Sequence, residues 1–244
     1  MRIPRVHLPV SLAPGAVVAL DDNAFNHLVR VLRLKPGAAL ILFNGAGGEY
    51  RARLETVEKR GATARVEVHV AREAESPLSV LLAQGVSKGE RMDYTLQKAV
   101  ELGVTAIQPL LTAHSVVSLD DERWERRRRH WQGVVVGACE QCGRNRLPAL
   151  YPLRSLGEWL ATPPPGLGLM LDPLAEHGLR DLPPPAGRMI MLLVGPEGGL
   201  SETEIAAARI AGFRGLRLGP RVMRTETAGV AALAALQALW GDLG

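Results

Sequence analysis

The rhythm of hydrophobic residues changes once along this chain, near residue 72. Before that point, short apolar runs at 16–20, 38–43, 50–57 and 62–70 are separated by glycine-containing turns at 44–48 and 59–61. Runs of this kind predict a small β-barrel. One helix interrupts them: Asp21 or Asp22 is placed to cap a segment reaching Val31, with Phe25, Leu28, Val29 and Leu32 on one face. Residues 73–77, Glu-Ala-Glu-Ser-Pro, are polar and end in proline, which marks a short linker. Beyond it, strands are predicted at 78–84, 104–111, 166–171, 189–194 and 215–218, and helices at 90–102, 122–141, 155–160, 201–211 and 228–240. This alternation predicts an α/β unit on a parallel sheet. Two domains are therefore expected, at 1–72 and 73–244.

Several positions sharpen that picture. Residues 189–194, Met-Ile-Met-Leu-Leu-Val, show no polar alternation, as a strand buried on both faces requires. The last helix, with Val230, Leu233, Leu236 and Leu239 among alanines, is apolar nearly all round and is expected to be buried. On helix 90–102, Met92, Leu96, Ala99 and Val100 form the inward stripe, leaving Gln97, Lys98 and Glu101 on a polar face. Trp124 and Trp131 are expected to pack inward.

Composition narrows the class. Of 244 residues, 47% are hydrophobic, and mean hydropathy is +0.05, which predicts a soluble globular protein. No apolar stretch approaches bilayer-spanning length. The opening Met1-Arg2-Ile3-Pro4-Arg5 lacks the apolar core of a signal peptide, so the cytoplasm is the expected compartment. Cys139 and Cys142 make a single Cys-x-x-Cys with no two further ligands at suitable spacing, so no metal is expected. Net charge is only +4, yet all but four of the 29 basic residues are arginine. Arginine matches phosphate with a planar fork and stacks on bases. A general compositional preference for arginine gives the same count, so the pI near 9.4 permits nucleic acid without demanding it. The run Arg126-Arg127-Arg128-Arg129 winds around more than one helical turn and reads first as a solvated face, second as an RNA-backbone contact. The same choice applies to Arg30, Arg33, Lys35, Arg51 and Arg53 in the first domain.

The densest chemistry lies in two strand-to-helix loops. Gly195-Pro196-Glu197-Gly198-Gly199 follows the buried strand, and Ser201 with Glu204 forms a capping box for the next helix. Glycines allow close backbone approach and positive φ. The second loop, Gly219-Pro220-Arg221-Val222-Met223-Arg224-Thr225-Glu226-Thr227, holds more hydrogen-bonding groups than a structural turn needs. Neither loop is a P-loop or a Gly-x-Gly-x-x-Gly turn, which disfavours a nucleoside triphosphate or NAD site. Both leave the carboxyl ends of strands, the edge of an open α/β sheet where ligands bind.

Residues 193–201 followed by 218–228 resemble, in order and spacing, the paired cofactor loops of RsmE-type methyltransferases. That family belongs to the SPOUT superfamily and methylates N3 of a uridine in 16S ribosomal RNA. Residues 97–104, Lys88 with Arg91, and residues 27–33 are similar to further motifs of the family. Glu140-Gln141-Cys142-Gly143-Arg144 resembles its Glu-Gln-Ser-x-Arg motif with cysteine for serine. Residues 112–116 depart from the pattern: an arginine usually precedes the serine, and His114 stands in its place.

The resemblance implies a SPOUT-type knotted parallel-sheet methyltransferase domain preceded by a small PUA-like β-barrel RNA-binding domain. It also implies a homodimer, 16S ribosomal RNA of the small subunit as partner, and S-adenosyl-L-methionine as cofactor. It puts Leu171, Val194, Gly195, Pro196, Glu197, Gly198, Gly199, Leu218, Gly219, Arg221, Val222, Met223, Thr225, Thr227 and Ala228 around the cofactor. Arg30, Arg33, Lys88, Arg91, Gln97, Lys98, Glu101, Gln141 and Arg144 fall on the RNA side. Methylating uracil N3 requires loss of a proton and stabilisation of negative charge on the carbonyl oxygens. Arg224 suits the charge, and Glu226 suits either the base or a helix-terminus cap. Two other readings share these features: an RNA-binding ribosome-assembly factor without catalysis, and a SPOUT enzyme acting on transfer RNA.

Overall fold

A computed structural model of the chain describes residues 3–115 and 121–244. Met1 and Arg2, part of the stretch read for a signal sequence, and Val116, next to the departure at His114, lie outside them. The chain forms two units, Met1–Glu75 with Cys139–Leu147, and Ser76–Ala138 with Pro148–Gly244. Residues 139–147 thus join the first unit, although the sequence groups them with the second.

The first unit contains β1 (Arg5–His7), β2 (Val17–Ala19), β3 (Ala39–Phe43), β4 (Glu49–Val57) and β5 (Ala62–Val70) in one sheet of order β1-β3-β4-β5-β2. β1 runs parallel to β3, and the other pairs are antiparallel. Along β4, Ala52 and Leu54 are buried while Arg51 and Arg53 are exposed, the alternation of a sheet with one wet face. The dry face packs on Val6, Leu8, Phe25, Leu28, Leu40 and Leu42. The helix at Asp22 begins as α1 (Asp22–Phe25), capped by Asp21, whose carboxylate accepts from the Ala24 amide at 2.8 Å. It continues as a π-helical segment, Asn26–Val31. The Leu32 amide donates to the His27 carbonyl, five residues back, so the wider turn rotates Leu32 off the buried face and leaves it 42% exposed.

Polar residues tie the ends of this unit together. Arg5 is buried and donates to Glu49 at 2.5 Å and to the Asn145 side chain at 2.5 Å. Arg144, expected on the RNA side, is only 4% exposed, and its guanidinium donates to Glu75 at 2.5 Å. Its place is structural, because a buried guanidinium with a bidentate carboxylate partner does not present itself to a phosphate. Glu140 accepts from the His7 amide at 2.9 Å, and burial pushes its carboxyl pKa up. Burial pushes the Cys139 thiol up to about 12, so it packs as a small apolar group.

The second unit contains β6 (Val80–Gly85), α2 (Glu90–Glu101), β7 (Ala106–Leu111), α3 (Asp121–Cys142, to Ala138 in this unit), β8 (Ala149–Leu150), β9 (Arg154–Ser155), α4 (Leu156–Ala161), β10 (Leu167–Leu171), β11 (Ile190–Val194), α5 (Glu202–Ile210), β12 (Arg214–Leu216) and α6 (Thr225–Trp240). A 3-10 turn, Leu179–Asp181, lies between β10 and β11. All strand pairs are parallel, in the order β12-β10-β11-β6-β7-β8, with β9 also on β7. β6 and β11 are buried at every position, as strings without polar alternation require. Trp159 stacks at a tilt on Phe213, 5.5 Å between centroids, in a core with Leu81, Leu110, Met170 and Leu193. Trp124 and Trp131 are both buried, 5.9 Å apart. Among the described residues no helix is long and apolar enough to cross a membrane.

Two features of this topology position the site. β10 stands between β11 and β12, so the two glycine-bearing loops flank a third loop instead of leaving adjacent strands. α6 begins at Thr225, three residues before the expected start, which puts Glu226 and Thr227 in its first turn.

Candidate functional site

Three loops leave the carboxyl ends of β10, β11 and β12 and enclose a cavity of about 740 Å³. This is the edge of an open parallel sheet at which ligands bind. Leu171, Asp172 and Leu174 come from the first loop, Val194 and residues 195–200 from the second, and residues 218–219 and 221–226 from the third. Every residue expected around the cofactor lines the cavity except Thr227. Thr227 is exposed, and its amide donates to the Arg224 carbonyl at 3.0 Å. Arg224 and Glu226 both line the wall.

Each glycine of the second loop has its own reason. A Cβ on Gly195 would fall 3.0 Å from the Gly199 backbone, and one on Gly198 would fall 2.8 Å from the His114 Cβ. Gly199 has φ +70°, in the left-handed region. The loop is fastened from outside. Ser201 and Glu204 form the expected capping box, and the other oxygen of Glu204 accepts from the Ala113 amide at 2.7 Å. His114, which stands where the family pattern has arginine, donates from Nδ1 to the Gly199 carbonyl at 3.2 Å.

The third loop is joined to the second through a threonine. The buried Thr225 hydroxyl donates to the Gly195 carbonyl at 2.5 Å and accepts from Gln84 Nε2 at 3.0 Å. Its hydrogen-bonding capacity is used in holding the two loops, so it shapes the cavity.

Charge gathers on one wall. Glu197 Oε1 accepts from the Lys88 amide at 2.9 Å and from Arg91 Nη1 at 2.7 Å. Burial acts to raise the Glu197 pKa, but the Lys88 amide, its own backbone amide and Arg91 outweigh it and hold the carboxyl below its usual range. Donating to the Glu197 carboxylate raises the Arg91 pKa in turn. Glu226 Oε1 lies 3.8 Å from Arg91 Nε, and its Oε2 is buried with no hydrogen-bond partner among the described residues.

The residues expected on the RNA side separate. Arg91 lines the cavity, and Lys88 lies beside it through its amide. Gln97, Lys98 and Glu101 lie elsewhere on α2, where Lys98 pairs with Glu101 at 2.8 Å. Arg30, Arg33 and Gln141 are exposed on the first unit, with the Arg30 guanidinium 5.4 Å from the Phe25 ring centroid. Asp172, directly after β10, also lines the cavity. Its buried carboxylate accepts from the Leu174 amide at 2.9 Å and from Arg209 at 3.4 Å, shaping the first loop. The Asp-Pro pair directly after a strand was the available signal.

Comparisons with known proteins agree with this geometry. A family model described as RNA methyltransferase domain matches residues 74–237, and one described as RNA methyltransferase PUA domain matches residues 20–67. Over 243 residues the chain is 32% identical to ribosomal RNA small subunit methyltransferase E of Buchnera aphidicola subsp. Schizaphis graminum, covering 99% of this chain and 98% of the other. The protein of the same name from Synechocystis is 34% identical over 231 residues, 92% of this chain and 74% of that one. The solved structure of a ribosomal RNA small subunit methyltransferase E from Neisseria gonorrhoeae, bound to S-adenosyl methionine, is 42% identical with a TM-score of 0.92. A methyltransferase of Legionella pneumophila in complex with SAM is 41% identical with a TM-score of 0.96. Both structures match over 100% of each chain.

Proposed function

The chain belongs to the ribosomal RNA small subunit methyltransferase E family, and from that membership we propose that it methylates N3 of one uridine in 16S ribosomal RNA. At the coarser level it is an S-adenosyl-L-methionine-dependent methyltransferase of small-subunit ribosomal RNA, a SPOUT-type α/β domain behind a PUA-type domain. The observation that carries the reading is the three-loop cavity, with its backbone-lined glycine cradle and mixed apolar and charged wall.

The residues present fit the cofactor. Side chains at positions 195 and 198 would collide with the Gly199 backbone and with His114, so glycine lets the second loop keep the shape that lines the cavity. Leu171, Val194, Leu218 and Val222 supply apolar surface, and Gly219, Arg221 and Met223 complete that side of the wall. Bound there, S-adenosyl-L-methionine supplies a sulfonium-activated methyl electrophile. The protein then has to align the uracil with that methyl in a near-attack geometry. Glu226 accepts the N3 proton, and Arg224 stabilises the negative charge that spreads to the uracil carbonyl oxygens. A carboxylate in the first turn of α6 is also favoured by the helix dipole, so its chemical and structural roles are compatible.

In this reading residues 1–72 bind RNA and residues 73–244 carry the transfer, with Cys139–Leu147 serving the RNA side. Exposed Arg30, Arg33 and Gln141, together with Lys88 and the α2 face of Gln97, Lys98 and Glu101, are the proposed RNA contacts. The working form is a cytoplasmic homodimer.

The test is methyl transfer from labelled S-adenosyl-L-methionine to unmodified small ribosomal subunits, followed by nucleoside mass analysis. One 3-methyluridine is expected. Label on transfer RNA instead, or on another nucleoside, would overturn the reading. The cradle itself is checked by Gly85→Ala. A Cβ at Gly85 would fall 2.6 Å from Pro196 Cδ and 2.7 Å from Pro196 N, which displaces the second loop. Cofactor affinity by calorimetry is expected to fall about 5- to 100-fold, since roughly 1–3 kcal/mol is a common cost of overpacking.

A further inference from the structure

Three separate segments meet through charge on the wall of the cavity. Arg91, in the first turn of α2, donates to Glu197 in the second loop, and its Nε stands 3.8 Å from Glu226 at the start of α6. Glu197 is fixed twice, because the Lys88 amide donates to the same oxygen at 2.9 Å. The Glu226 side chain is only 15% exposed, and Oε2, on the side chain that lines the cavity, is buried without a partner among the described residues. A buried carboxylate oxygen without a donor is costly, so it awaits one from the ligand. The uracil imide N3–H is such a donor. Cytosine presents a lone pair at the same position, which a carboxylate repels.

We propose that Arg91 is a positioning residue for methyl transfer: held by Glu197, it fixes the Glu226 carboxylate so that Oε2 receives the imide proton, and the arrangement selects uracil over cytosine. This rests on the uridine-N3 reading above. In the step it serves, N3 forms its bond to the methyl carbon as the carbon–sulfur electron pair returns to sulfur, and the N3 proton passes to Glu226 Oε2. Arg91 touches neither the methyl nor the base; its loss frees the carboxylate to swing.

The experiment compares wild type, Arg91→Met, Arg91→Lys and Glu226→Gln on small-subunit RNA carrying either uridine or 5-fluorouridine at the target, with cofactor affinity measured by calorimetry. 5-Fluorouridine has a more acidic imide and leans less on a base. Arg91→Met is expected to lower kcat about 10–100-fold with cofactor Kd and RNA KM changed less than about threefold. Lysine should restore most of the rate. 5-Fluorouridine should recover Arg91→Met and Glu226→Gln relative to wild type. An Arg91→Met variant with normal kcat, one impaired only in KM or Kd, or one that 5-fluorouridine helps no more than wild type overturns the proposal while leaving the function intact. A wild type that makes no 3-methyluridine overturns the function reading, and this inference with it.

Discussion

Arg224→Ala lowers kcat for methyl transfer by about 10²–10³-fold, the usual cost of removing a group that stabilises developing negative charge. Cofactor and RNA affinities stay close to wild type. The structural consequences of the change are small. Arg224 precedes α6 with φ −64° and ψ 152°, extended backbone that alanine also adopts, and its side chain makes no capping hydrogen bond. The residue is exposed on the cavity wall, so truncation leaves no buried group unpaired. Single-turnover rates at saturating cofactor isolate the chemical step from product release. Normal turnover in Arg224→Ala would remove it from the chemistry and leave it as a wall residue only.

Arg5→Met destabilises the first unit by about 3–5 kcal/mol, because it strands a buried carboxylate. The pair is well withdrawn from water, with side-chain exposures of 6% for Arg5 and 9% for Glu49. Arg5 also donates to the Asn145 side chain and, at 3.4 Å, to the Arg144 carbonyl, so its loss unties the 139–147 segment as well. Arg72 still reaches Glu49 at 3.1 Å, but that guanidinium is half exposed and compensates weakly. Hydrogen exchange of the β3 and β4 amides reads this unit directly. The double variant Arg5→Met/Glu49→Leu is expected to recover most of the loss, since the charge left unpaired is then gone. If the double variant is no better than Arg5→Met, the cost lies in lost packing and not in the stranded charge.

Legibility from sequence followed the physics of each element. The strand at Ile190–Val194 is legible because burial on both faces removes every polar residue from the string, and Val80–Gly85 because only Gln84 breaks its apolar run. The capping box at Ser201 and Glu204 was readable because it is a local, reciprocal hydrogen-bond pattern. β1, three residues long, was not: it owes its existence to parallel pairing with β3, and short strands carry little periodicity of their own. The helix after Asp22 is legible, but its π-helical continuation is not, so the 3.6-residue pattern puts Leu32 on the buried face where the structure exposes it. The resemblance points Arg144 outward, because sequence gives no sign of the Glu75 carboxylate folded against it.

The sequence by itself determined what local chemistry can encode: which segments alternate and which are wholly apolar, where helices are capped, and which loops need glycine. It also carried the resemblance that pointed to the glycine-bearing loops and to Leu171, which line the cavity. Only the tertiary structure decided that β10 separates β11 from β12, which sets the loop after β10 between the two glycine-bearing loops. It decided that Thr225 spends its hydroxyl on Gly195 and Gln84, and that Arg91 stands between Glu197 and Glu226. These partners lie a hundred or more residues apart except within the carboxyl-terminal loops, and no propensity or spacing rule reaches that far. Contacts of that kind are fixed by strand order and packing, which depend on the whole chain at once.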